Sequence, residues 1–327
     1  MNFIILNEFY LMKALYFDGS LSLAEVPVPE PRADEVLIKV SCSSICNTDV
    51  EILKGYMGFR GIPGHEFAGR VVSAGSRLAG RLVVGEINCP CGNCHLCLTG
   101  RGKHCTQRTV LGIDRHDGVF AEYIVLPEKN LHEIPAGLSP FKAVFAEPLA
   151  AALEIAEQVH LKPSEEVFIF GAGKLGLLVS MVLGLNGCRY MTFDPNPVRV
   201  EKATGMGLHA AVLDTLVSSA KADVCIDCTG NPEGITIAMN HLYPMGKLVL
   251  KTTVAVPGNI DLNRMVIDEL TITGSRCGPF APALNLLARG LVDPEPLVSR
   301  VFPFADILTA FDHAAKPDTF KVLIDHG

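Results

Sequence analysis

Cys91-Gly-Asn-Cys94-His-Leu-Cys97, followed after seven residues by Cys105, places four soft ligands in one short loop. Two residues between successive thiols let a tight turn wrap one ion, and the fourth thiol closes a tetrahedron. Four thiolates at about 2.3 Å suit Zn²⁺ and leave no position for a substrate, so this zinc would be structural. An iron–sulfur cluster would use the same ligands, and the bland reading is four unrelated cysteines in a Gly-rich loop. Cys89 and His95 lie inside the loop but outside the spacing and read as bystanders.

A second set is scattered. Cys46-Asn-Thr48-Asp49, Gly64-His65-Glu66 and Ala146-Glu147-Pro148-Leu149 together offer one thiolate, one imidazole and two carboxylates. That suffices for an open catalytic zinc site, where three protein ligands leave one position free. Neighbours on an extended strand face opposite sides. His65 and Glu66 can therefore share one ion only if Pro63-Gly64 bends the chain.

The third set is Gly171-Ala-Gly173-Lys174-Leu175-Gly176, between an apolar run and a helical one. Gly171 makes the tight turn, Gly173 lets backbone approach a pyrophosphate, and Gly176 allows close helix–strand packing. The helix N-terminus adds N–H groups and a positive dipole. Asp194, 23 residues after Gly171, can accept hydrogen bonds from the adenosine ribose and repel a 2′-phosphate, which favours NAD over NADP. A helix N-cap in its Asp-Pro-Asn-Pro turn is the plainer role for Asp194. Arg199 leaves some tolerance for NADP.

These residues need two kinds of scaffold. Residues 35–40, 69–72 and 121–125 are short β-type runs broken by Gly and Pro, which predicts an antiparallel, barrel-like domain. From about 140 strands and helices alternate. Runs 167–170, 190–193, 224–227, 247–250 and 270–273 read as strands and 175–185 as a helix, giving a parallel, doubly wound α/β sheet. The proline-punctuated tail after 277 is expected to rejoin the first domain. Cys225-Ile-Asp-Cys228 imitates a redox pair, but residues three apart on a strand face opposite sides, so packing explains them better.

Composition sets the limits. At 327 residues, 49% hydrophobic and 19% charged, the chain can fill two cores. Its net charge of -7 opposes a nucleic-acid partner, and no run reaches the ~18 apolar residues of a membrane span. The apolar opening, residues 1–6, lacks a basic n-region and is not read as a signal peptide. With eleven cysteines, an odd number, this implies reduced thiols and a cytoplasmic location. Met12 opens a natural first strand, so residues 1–11 read as a short extension or an upstream start.

On these motifs, with the Asp227-Cys-Thr229-Gly230-Asn231 strand end, the chain resembles the zinc-dependent medium-chain dehydrogenases from Met12 onward. The resemblance implies a GroES-like antiparallel β-barrel catalytic domain, residues 1–149 completed by 277–327. It implies a Rossmann NAD-binding domain at 150–276, two zinc ions per chain, and a homodimer or homotetramer. Cys46 and His65 become ligands of a catalytic zinc, and Glu66 a ligand or swinging partner. Glu147 stands where simple alcohol dehydrogenases have a third cysteine, as in the sorbitol and glucose dehydrogenase branch, which points to polyols or sugars. Lys174, Leu175 and Thr229 join the cofactor contacts. Thr48 would take the alcohol proton, its plainer role being to cap a helix beginning near Asp49. Zinc would lower the pKa of the substrate hydroxyl, and the nicotinamide would accept hydride.

One departure concerns the proton. Many relatives have a histidine three residues after that hydroxyl, and this chain has Glu51. A carboxylate there puts the relay in doubt but not the reaction. Residues 50–60 and 277–285 are expected at the substrate pocket, with Tyr56 and Phe59 as an aromatic wall and Arg60 for a hydroxyl-rich or anionic substrate. The competing readings are a non-enzymatic nucleotide- or zinc-binding protein, a dehydrogenase of amino alcohols or threonine-type substrates, and a zinc-independent quinone reductase. The last would lack the Cys46/His65 pair.

Overall fold

The computed structural model describes residues 10–252 and 259–327, so residues 1–9 of the expected extension lie outside the described residues. The chain forms two compact units. One runs up to Val144 and resumes with Arg300–Gly327; the other is Phe145–Ser299.

In the first unit, strand Glu35–Ile45 is the organising element. Its Val36, Ile38, Val40 and Cys42 alternate inward and are buried, as the period of a pleated strand requires. It pairs antiparallel with Glu66–Val71, Tyr123–Pro127 and Lys321–Asp325. Leu82–Gly85 and Leu131–Glu133 continue the sheet, and a hairpin of Leu11–Phe17 with Leu21–Pro27 stands beside it. The register sets Ser44 opposite Glu66 on one neighbour and Leu323 on the other. The strand then runs into helix Asn47–Leu53, which carries the Cys46 segment.

The second unit holds a six-stranded parallel sheet in the spatial order Ala210–Val212, Arg189–Asp194, Glu166–Phe170, Ala222–Asp227, Leu242–Leu250, Thr271–Gly274. The order reverses between Glu166–Phe170 and Ala222–Asp227, the pattern of a doubly wound fold. Phe168, Phe170, Phe193, Met239, Leu242 and Leu248 form a core on one face. Phe168 meets Phe193 edge-on at 5.2 Å between centroids. Cys225 lies in this core, where burial drives its thiol pKa far up; the Cys228 thiol is pushed to about 12 by burial, with Asp227 adding to it. Both are inert packing groups in that state.

The tail does not leave this unit at 277. Helix Phe280–Ala288 stays with it, burying Phe280, Ala283, Leu284 and Leu287, and the return comes at Arg300. Gly278 explains the tight passage: a Cβ there would come within 1.9 Å of the Ala150 carbonyl oxygen. No helix among the described residues is long and apolar enough to cross a membrane.

Candidate metal centres and dinucleotide site

The four loop thiols converge. Cys94 and Cys97 lie 3.5 Å apart, Cys91 and Cys105 3.5 Å, Cys94 and Cys105 3.7 Å, and Cys91 and Cys97 3.9 Å, sulfur to sulfur. A tetrahedron with bonds of about 2.3 Å has edges of about 3.8 Å, so the quartet fits Zn²⁺. All four are free thiols, too far apart to be disulfides. Backbone N–H groups at Cys91 and Gln107 pull the Cys105 thiol down to about 6, which readies one thiolate. Cys89 and His95 stay outside: Cys89 Sγ meets the Ile87 carbonyl and Asn130, and His95 meets Arg101.

The second cluster is built within the first unit. Ligand atoms of Cys46, His65 and Glu66 all lie within 4.8 Å of one another. The required bend exists at Gly64, whose φ is +98°, and a Cβ there would strike the Phe120 ring at 2.7 Å. Only glycine suits both constraints. His65 Nδ1 lies 3.0 Å from Asp49 Oδ1, and Asp49 Oδ2 accepts the Cys46 N–H at 2.7 Å. Burial alone would keep His65 neutral, but the charge and hydrogen bond of Asp49, helped by Cys46, hold its pKa well above the ordinary value. Nε2 is the nitrogen left for an ion.

Glu66 is fully buried between the sheet's partners. Its Oε2 accepts from Lys321 Nζ at 2.5 Å and from the Ser44 hydroxyl. Although burial opposes ionisation, Lys321 and His65 lower its pKa below the ordinary value. Its Oε1 is buried and, among the described residues, has no hydrogen-bond partner. A buried orphan oxygen beside a thiol and an imidazole suits a cation, and this donor set fits zinc. Asp49 and Lys321 were not singled out for the site from the sequence. Asp49 had a local signal, three residues after Cys46 at capping-box spacing; Lys321 had none.

Carboxylates behind metal-bound histidines fix the ring and raise ligand basicity. Asp49→Asn is therefore expected to weaken zinc retention at this cluster by ~10- to 100-fold. Metal analysis after graded chelation checks it, with the cysteine quartet's zinc as the internal standard. Unchanged retention would remove Asp49 from the site.

The remaining first-unit residues fall as follows. The helix begins at Asn47 with Cys46 at its cap, so Thr48 is inside the first turn and is not the cap. Its hydroxyl lies 3.7 Å from Cys46 Sγ. Glu51 pairs with Lys54 at 2.8 Å. Phe59 is buried against Phe17 and Ile52, with Tyr56 packed on the same cluster.

In the second unit Glu147 is half-buried on the first turn of helix Ala146–Gln158. Gly171 adopts φ +102°, and a Cβ would come within 2.7 Å of the Cys228 carbonyl. At Gly176 it would come within 1.8 Å of the Gly171 carbonyl, whereas at Gly173 nothing among the described residues lies within 4 Å. Two glycines thus serve packing and one leaves open space at the start of helix Lys174–Leu185, where Lys174 and Leu175 form the first turn. That cradle fits a pyrophosphate. Asp194 is buried; its Oδ2 accepts the Ala172 N–H at 2.7 Å and its Oδ1 the Asn196 N–H at 2.8 Å. Arg199 stands 3.6 Å from the same carboxylate. The cap of the next helix is Asn196, not Asp194. Thr229 spends its hydroxyl on Asp227 Oδ1 at 2.7 Å, which shapes the turn beside Gly171.

Residues 32–136 match the family model of the alcohol dehydrogenase GroES-like domain, and residues 175–289 match that of the zinc-binding dehydrogenases. The chain is 34% identical to an L-threonine 3-dehydrogenase of Coxiella burnetii, across 93% of this chain and 96% of that one. It is 26% identical to a sorbitol dehydrogenase of Halalkalibacterium halodurans, across 96% and 98%. Among solved structures, the short chain alcohol dehydrogenase rspB from Escherichia coli CFT073 complexed with NADH superposes with a TM-score of 0.88 at 28% identity, covering 96% of this chain and 99% of that one. A zinc-binding dehydrogenase from Sinorhizobium meliloti 1021 bound to NADP gives 0.86 at 28% identity, covering 97% and 99%.

Proposed function

The chain belongs to the zinc-dependent medium-chain dehydrogenases, and from that premise we propose that it oxidises the secondary alcohol of a small polyol or sugar with NAD. The observation that carries the metal assignment is the orphan Oε1 of Glu66 beside Cys46 and His65. By resemblance, Glu147 is the second carboxylate assigned to that ion and the reason for the polyol preference. Bound groups would supply two things: zinc a Lewis acid that lowers the hydroxyl pKa, and nicotinamide an acceptor for hydride.

The chain's own residues do the rest. Asp49 holds the His65 ring and the Cys46 backbone in one geometry. Lys321 and Ser44 keep Glu66 ionised and aimed. The Thr48 hydroxyl accepts the substrate proton, and Glu51 is the nearby carboxylate that can pass it to solvent. A second reading, an amino-alcohol or threonine-type substrate, is favoured by the 34% identical relative. A panel of polyols, sugars and threonine, followed by NADH absorbance, separates the two. Turnover of none of them after zinc loading would sink both.

Asp194 is the basis for preferring NAD, because its buried carboxylate opposes a 2′-phosphate while Arg199 is already engaged with it. Asp194→Ser is expected to raise KM for NAD and free Arg199 for phosphate, shifting the NAD/NADP ratio of kcat/KM by ~10- to 100-fold toward NADP. An unchanged ratio would take the selectivity away from Asp194.

A homodimer or homotetramer is supported by the position of Thr271–Gly274 at the edge of its sheet among the described residues, and by exposed Leu262, Val266 and Ile267 on the preceding helix. Eleven free thiols suit a reducing, cytoplasmic setting.

A further inference from the structure

We propose that Lys251 is a positioning residue for the nicotinamide half of the dinucleotide, holding together the strand ends over which that half runs. The inference rests on the NAD-linked reading above.

Ligands of open parallel sheets lie at the carboxyl ends of the strands, around the point where strand order reverses. Gly171 follows Glu166–Phe170 at that point, and Asp194 ends the neighbouring strand on the outer side. With the adenosine ribose at Asp194 and the pyrophosphate at the Gly171–Gly176 turn, the rest of an extended dinucleotide must run the other way. It passes over the ends of Ala222–Asp227, Leu242–Leu250 and Thr271–Gly274.

Lys251 directly follows the middle one of these three strands. Its N–H donates to the Asp227 carbonyl at 2.9 Å, and the Ser275 N–H donates to the Leu250 carbonyl at 2.9 Å. The side chain turns inward and is 8% exposed. Its ammonium donates to the Ala151 carbonyl at 2.6 Å, the Arg276 carbonyl at 3.1 Å and the Ser275 hydroxyl at 3.2 Å. One cation with three donors therefore ties together the end of Leu242–Leu250, the segment leaving Thr271–Gly274 and helix Ala146–Gln158. All three acceptors are neutral.

Burial lowers the pKa of this ammonium to about 8, against the opposing pull of Cys228, Cys277, Glu147 and Glu154. A buried ammonium is costly to keep, and an apolar side chain would fill the same space more cheaply. What an apolar side chain cannot do is bind a helix carbonyl, a loop carbonyl and a hydroxyl at once. The residue is thus suited to fixing the floor under the ring that receives hydride.

The test compares two ligands on the zinc-loaded, full-length protein by isothermal titration calorimetry. NADH reports on the whole site; ADP-ribose carries the adenosine ribose and pyrophosphate without the nicotinamide. Lys251→Met is expected to weaken NADH about tenfold while ADP-ribose affinity stays within about twofold, since a misplaced subsite affects only what it touches. Ser275→Ala removes one acceptor and leaves the rest, so it gives a result even if the first variant folds poorly; NADH should weaken about two- to threefold. Equal weakening of both ligands in both variants, or no change in NADH, overturns the positioning role. Wild-type protein that binds neither ligand would instead overturn the NAD-linked reading.

Discussion

Cys46→Ser should reduce kcat by at least about 10³-fold while leaving NADH affinity within twofold. The serine hydroxyl is nearly the same size as the thiol but stays protonated near neutral pH and ligates zinc poorly. A Lewis acid at a reacting oxygen is worth several kcal/mol, and each ~1.4 kcal/mol is tenfold in rate. The dinucleotide cradle at Gly171–Gly176 belongs to the other compact unit and shares no residue with Cys46. Steady-state kinetics, NADH titration and zinc content together read the result. The variant should keep the zinc of the cysteine quartet and lose the other ion. Near-normal turnover would remove Cys46 from the catalytic assignment.

The second large effect concerns stability. Lys321 and Glu66 are 1% and 0% exposed and meet at 2.5 Å. Removing one partner of such a pair strands the other as a buried charge, which costs ~3–5 kcal/mol. Lys321→Met is therefore expected to lower the urea midpoint sharply, with little change in slope. Adding Glu66→Gln removes the stranded charge, so the double variant should be less destabilised than the sum of the single changes by more than about 1 kcal/mol. Additive effects would mean that the two side chains are not coupled. The Glu66 partner also changes the chemistry, because Lys321 occupies Oε2 and leaves only Oε1 for a cation.

What the sequence revealed follows the range of each interaction. The cysteine quartet and the glycine turn are local, and the spacing of their residues is itself the geometry. Asp49 was within reach of the same logic, because a carboxylate three residues after a helix cap can bond back to it. Lys321 lies 255 residues from Glu66, and only the pairing of Lys321–Asp325 with Glu35–Ile45 brings it near. A lone lysine near a C-terminal strand carries no sign of such a partner. Phe59 also has a packing role, against Phe17 and Ile52, that residue type alone does not announce. The tail's return was placed early because prolines mark breaks, whereas the departure is decided by where helix Phe280–Ala288 buries its apolar face.

The interrupted first unit has a consequence for how the protein is made. Strand Lys321–Asp325 completes the sheet around Glu35–Ile45, yet the ribosome delivers it only after the whole of Phe145–Ser299. During synthesis the inserted unit has all its strands first and can fold as the chain emerges. The earlier segment must wait with Glu66 lacking its lysine and one flank of its organising strand open. That interval is when an unpaired edge can capture a second nascent chain. The returning segment Arg300–Gly327 therefore governs yield as well as charge balance, and truncation before Lys321 should show up as aggregation before it shows up as lost activity.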